Sequence, residues 1–121
     1  MTESSRYATL KIPAELATQS GPMLLTRGSV HPAFRPGSSS RLLRNGVGIV
    51  SREVAVFAIS DEPVNFHEFA LLFRDTLGCR DALYFDGNIS SLHSLQLGRS
   101  DALHPLGPII GIARQAGGAR P

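Results

Sequence analysis

Apolar positions change their period along the chain. At residues 64–77, VNFHEFALLFRDTL, Phe66, Phe69, Ala70, Phe73 and Leu77 recur at helical spacing. That stripe predicts one main amphipathic helix over residues 65–77, turned to a core. Asn65 is a good N-cap, Glu68 three residues later completes a capping box, and Gly78 follows where a left-handed residue ends a helix. Ala82-Leu83-Tyr84-Phe85 is then a strand-like run of the buried kind. Upstream, residues 45–50 and 53–59 flank Ser51-Arg52 and read as a hairpin. Gly46 and Gly48 thin its first strand, which signals close backbone approach or a bulge. Residues 22–25 read as a strand entering the core, residues 7–12 as an edge strand stopped by Pro13, residues 14–17 as one helical turn, and residues 106–113 as a closing strand. Residues 28–40, with Pro32, Pro36, Gly37 and a serine run, form a long loop, either a connection or an active-site flap. The fold class is α+β: a mixed, mostly antiparallel sheet with the helix on one face.

A chain of 121 residues is expected to be one domain. It divides into an N-terminus, 1–13, that is poorly ordered or an edge strand, a body at 14–114, and a flexible tail at 115–121. The net charge is +2 and the arginines are scattered, so no basic stripe for nucleic acid is expected. No apolar run reaches the roughly 18 residues of a membrane span. No apolar segment follows Arg6 and Lys11, so no export signal is expected in this chain. Cys79 is the one cysteine, which excludes an intrachain disulfide. His31, His67, His93 and His104 fall in no ligand spacing, so neither a metal nor a cofactor is predicted. There is no Gly-X-Ser-X-Gly elbow for a serine hydrolase.

Candidate chemistry gathers where the 82–85 strand ends, at Asp86-Gly87-Asn88-Ile89-Ser90-Ser91. Asp86 is the candidate acid, base or nucleophile. Gly87 lets a ligand approach the backbone, and Asn88, Ser90 and Ser91 offer short hydrogen-bonding groups. The same tripeptide is ordinary turn chemistry, and composition leaves both readings open. Arg44 is the candidate anion clamp, because a guanidinium fork matches phosphate bidentately, with Arg41 second. Gly48 follows it on the same strand, and His93 is a candidate proton donor near neutral pH.

Four blocks resemble the C-terminal part of the phosphodiester glycosidase domain. They are Ala17-Thr18-Gln19-Ser20-Gly21-Pro22-Met23-Leu24, Arg44-Asn45-Gly46-Val47-Gly48, the Asp86 to Ser91 motif, and Leu106-Gly107-Pro108-Ile109-Ile110-Gly111, in the family's order. The family includes the lysosomal uncovering enzyme, which removes N-acetylglucosamine from a phosphodiester, and bacterial proteins tied to exopolysaccharide biosynthesis. The resemblance implies a hydrolase acting on a glycosyl phosphodiester or sugar-phosphate, small or polymeric. Its cleft would be lined by Arg44, Gly48, Asp86, Gly87, Asn88, Ser90 and Ser91, with Asp86 and His93 catalytic. Nothing before Ala14 resembles the family's earlier Asn-Gly-Gly-Phe-like turn. The expectation is therefore a domain lacking its front, active only if that part is supplied, with a sheet edge open to self-association. The alternative is an inactive sugar-phosphate-binding or assembly domain. Family members usually act outside the cytoplasm, which leaves the compartment of this chain undecided.

Overall fold

Asn65 caps a helix as its position predicts. Its Oδ1 accepts from the Glu68 amide at 2.9 Å, and Glu68 Oε2 accepts from the Asn65 amide at 3.0 Å. Two amides that the first turn leaves without helical partners are thereby satisfied. In the computed structural model this helix, α2, spans Phe66–Leu71 and continues as a π-helical turn, Leu72–Thr76. Gly78 follows with φ +67. The stripe packs inward: Phe69, Ala70 and Phe73 meet Leu24, Leu25, Cys79 and Ala82 in one core cluster. Burying each of its larger side chains contributes roughly 1.5–3 kcal/mol.

The structure describes residues 1–113. The tail expected at 115–121 lies outside them. The chain divides into two compact units, Met1–Ser90 and a second one from Ser91 onward.

In the first unit α1 is Ser4–Leu10, and a five-stranded sheet is built from β1 (Met23–Thr26), β2 (Ser29–Val30), β3 (Arg44–Ile49), β4 (Ala55–Ile59) and β5 (Asp81–Gly87). The spatial order is β2-β1-β5-β3-β4, and every pairing is antiparallel. The class is α+β, as the periodicities predict. β3 and β4 are the expected hairpin, in register from Asn45↔Ile59 to Ile49↔Ala55.

The two glycines of β3 answer the question they raised. A Cβ on Gly48 would stand 2.5 Å from Cys79 Sγ and 2.6 Å from a Phe73 ring carbon. One on Gly46 would stand 2.5 Å from the Leu83 carbonyl oxygen and 3.4 Å from Phe69. The helix and the chain after it press on this face of β3, and only glycine leaves room.

Residues 7–12 do not form the expected edge strand. Their weak alternation is overridden by α1, a helix with no buried residue. Residues 14–17 contain only a bend rather than a helical turn.

The second unit has a small hairpin that the sequence reading passed over, β6 (His93–Ser94) with β7 (Arg99–Ser100). Leu92 donates its amide to Asp101 Oδ2 at 2.9 Å, and Arg99 pairs with Asp101 at 3.0 Å. The closing strand expected at 106–113 is not formed. Those residues are exposed and in no strand. Gly107, Pro108 and Gly111 explain it, since proline removes a ladder donor and glycine weakens a strand.

No helix among the described residues is long and apolar enough to cross a membrane.

Candidate functional site

The site is set by how β3 meets the end of β5. Arg44 pairs with Gly87 and Asn45 with Asp86, but the next partner of β3, Gly46, pairs with Tyr84. Phe85 is therefore an extra residue, a β-bulge, and with Asp86 it stands opposite Asn45. Side chains alternate along β3, so Arg44, Gly46 and Gly48 face the helix while Asn45 and Val47 face the other way. The bulge puts Phe85 and Asp86 on that second face. There the Phe85 ring lies 6.2 Å from Phe57, a residue of β4 that pairs with Val47.

Arg44 is consequently not a surface anion clamp. It is 1% exposed, among the most buried side chains of the protein. Its Nε donates to the Val64 carbonyl at 2.8 Å and its Nη2 to the Ser40 carbonyl at 3.1 Å. The guanidinium carbon sits 3.7 Å from the Phe66 ring centre and 5.5 Å from that of Tyr84. Its donors are turned to the end of the 28–40 loop and to the approach to α2. Burial and those carbonyls make it a residue that positions the loop.

Arg44 is thus sealed in the interior while Asp86 is exposed, so the guanidinium is not presented to a ligand across from that carboxylate as expected. Gly48 faces packed protein atoms rather than a cleft. So does Gly87, where a Cβ would collide with the Tyr84 hydroxyl and stand 3.0 Å from the Leu43 carbonyl oxygen. Burial pushes the Tyr84 phenol above its ordinary value; the adjacent Arg44 charge offsets part of this and the Asp86 carboxylate adds to it.

A different set does come together. Asn45 Nδ2 donates to Ser90 Oγ at 2.6 Å, which ties the loop after β5 to β3 beside Asp86. Asp86 is exposed, and its Oδ1 accepts from the Gly87 amide at 2.7 Å. Asn88 is exposed with φ +75, and its amide donates to the Leu43 carbonyl at 2.9 Å. Ser20, just before Gly21-Pro22, donates its hydroxyl to the carbonyls of Tyr84 and Phe85 at 2.7 and 2.9 Å. Three of the four sequence blocks therefore meet at one end of β5, around an exposed carboxylate flanked by an amide and a hydroxyl. Ser91 is exposed at the start of the second unit. His93 also lies there, exposed, with Nδ1 3.0 Å from Ser100 Oγ.

Asn45 and Ser20 lie within the family-like blocks, but sequence reasoning gave neither a role at the site. The signal for Asn45 was present, since Gly46 and Gly48 mark the face pressed by the helix, and Arg44 shares their parity. Among the described residues no three of His, Cys, Asp and Glu gather as a metal site.

Comparison with known proteins agrees with the blocks. The chain is 40% identical over 79 residues to the uncharacterized protein YigE of Escherichia coli (strain K12), which covers 65% of this chain and 31% of that protein. The chain thus spans less than a third of that relative's length. No solved structure matches it. The family description that matches is phosphodiester glycosidase, over residues 4–110, most of the chain. This chain belongs to the phosphodiester glycosidase family.

Proposed function

We propose that this chain takes part in hydrolysis of a glycosyl phosphodiester in a polysaccharide or envelope context, with Asp86 serving the anomeric centre. The observation that carries the reading is the meeting of three family-like blocks around an exposed Asp86 in a chain of this family. Cleavage of a sugar–phosphate bond develops oxocarbenium character, which a neighbouring carboxylate stabilises or traps, and phosphate departs without much help from an acid. Asn45 and Ser90 hold each other beside that carboxylate and are placed to orient sugar hydroxyls. Asn88 adds an exposed amide side chain. Arg44 acts behind the sheet by fixing the loop and takes no part in the chemistry.

The test is sugar release from alkyl glycosyl phosphodiesters of both anomeric configurations, run in 18O water. Label in the released sugar marks cleavage at the anomeric carbon, and Asp86→Asn should abolish it. Label in the phosphate, or release unchanged in Asp86→Asn, would refute the assignment.

One observation favours the second reading, a sugar-phosphate-binding or assembly domain without turnover. Among the described residues Asp86 is hydrogen-bonded to the amide of Gly87 alone, and no second carboxylate is bonded into its cluster. Under that reading the same phosphodiesters bind and no sugar is released by the chain alone.

A further inference from the structure

Residues 33–39 fold beside the start of α2 and border an open cleft of about 340 Å³. That volume is at the lower end of the roughly 300–1,000 Å³ of small-molecule sites. Its walls include Phe34, Arg35, Ser38, Ser39, Phe66 and His67, and no acidic residue lines it.

The cleft is built rather than incidental. The loop is turned twice, by the Phe34 amide on the His31 carbonyl at 3.0 Å and the Ser38 amide on the Arg35 carbonyl at 3.3 Å. Gly37 takes φ +71 at the second turn. Asn65 Nδ2 donates to the Ser38 carbonyl at 3.4 Å, and Arg44 anchors Ser40 from beneath.

Its chemistry has one sign. The Phe66 ring is taken up by Phe34, stacked at 4.8 Å and 10°, and by the Arg44 guanidinium. Phe34 is further flanked by His31 at 4.9 Å. These rings therefore offer the cleft their edges, the positive rim of an aromatic quadrupole, instead of a face on which a sugar would stack. Ser38 Oγ accepts from the Ser40 amide, which leaves its proton free to donate. Arg35 has no ion-pair partner among the described residues. The neighbouring carboxylate, Glu68, is occupied by Arg41 at 2.7 Å.

We propose that this cleft is a separate anion site, taking a phosphate monoester or free phosphate with Arg35 as its main charge and Ser38, Ser39 and His67 as further donors. It does not depend on the hydrolytic reading of Asp86. Asp86 is not among the residues that line the cleft.

The test titrates the 15N-labelled full chain with inorganic phosphate and with glucose 1-phosphate to ~10 mM, where a site of even ~1 mM affinity is nearly filled. Saturable shifts should gather on the amides of residues 35, 37–39 and 67. Arg35→Gln, an exposed change that spares the fold, should weaken binding about tenfold or more. Arg80→Gln, an exposed arginine outside the cleft, and Asp86→Asn should each change it less than about twofold. A response to glucose 1-phosphate alone, on the same amides, means that the cleft needs the ester. No saturable shift, shifts spread over all arginines, or equal affinity in Arg35→Gln would overturn the proposal. Failure of sugar release with binding intact would sink only the hydrolytic reading.

Discussion

Replacing Arg44 by methionine should destabilise the protein without touching any ligand. The guanidinium makes two charge-assisted hydrogen bonds to main-chain carbonyls, at 2.8 and 3.1 Å, and lies 3.7 Å from the Phe66 ring centre. Hydrogen bonds to a charged group contribute roughly 1.5–3 kcal/mol each, and a desolvated cation–ring contact adds about 2 kcal/mol. Methionine keeps most of the apolar contact and strands the carbonyls of Ser40 and Val64. Allowing for non-additivity, the loss is about 3–5 kcal/mol, a large part of the ~5–15 kcal/mol that such domains possess. With a urea m-value near 2 kcal/mol/M, the denaturation midpoint should fall by about 2 M. Arg44→Lys keeps the charge and loses the fork, so about half that fall is expected. The assay is urea unfolding followed by circular dichroism. If Arg44→Met unfolds within ~1 kcal/mol of the parent while phosphate binding or sugar release collapses, the guanidinium is a ligand group and the buried positioning role is wrong.

Three further outcomes follow from the packing and charge of the fold. Gly48→Ala drives a methyl into Cys79 Sγ and Phe73 and should cost about 1–3 kcal/mol, part of which Gly48→Ala/Cys79→Ala recovers; equal losses in both variants, read by urea unfolding, would place the strain elsewhere. The Glu68 carboxyl is held below its ordinary value of 4.5, first by the hydrogen bond from Arg41 and then by the Asn65 amide. Its contribution is therefore complete above pH 4.5 and disappears as pH falls through the lowered value, so Glu68→Gln should flatten the acid limb of stability measured between pH 5 and 2. β4 is an edge strand carrying Phe57 at 42% exposure. Self-association seen by sedimentation should be reduced by Phe57→Lys, and an unchanged mass distribution would clear this edge of involvement.

Much of the fold was legible because it is written in local chemistry. The capping box at Asn65 and Glu68, the phenylalanine stripe, Gly78 and the apolar run of β5 each have a short-range cause, and each forms where expected. Two kinds of feature were not legible. The first is pairing that depends on a partner. Residues 106–113 have strand-like content but stand unpaired, whereas His93–Ser94 and Arg99–Ser100 pair without any strong alternation, around the Asp101 carboxylate. The second is the face on which a residue lands. Burial of an arginine is rare enough that sequence puts it at the surface, and only the carbonyls of Ser40 and Val64 together with the Phe66 and Tyr84 rings make the interior tolerable for Arg44.

That second failure traces to one residue. By strict alternation Ala82, Tyr84 and Asp86 would share a face, and Arg44 lies on the same face as Tyr84. An arginine and an aspartate would then have met, as the sequence led one to expect. Phe85 breaks the parity. By standing beside Asp86 opposite Asn45, it carries the carboxylate to the far side of the sheet and leaves Gly87 in the place beside Tyr84 and Arg44. A carboxylate left on the helix side would face the buried guanidinium and lose its contact with solvent. Re-aimed by the bulge, it stands exposed beside Asn45 and Ser90 while Arg44 spends its donors on the loop. The cleft at residues 33–39, with its arginine, histidine and aromatic rings, is lined by no acid, so the re-aimed Asp86 does not compete there for an anion.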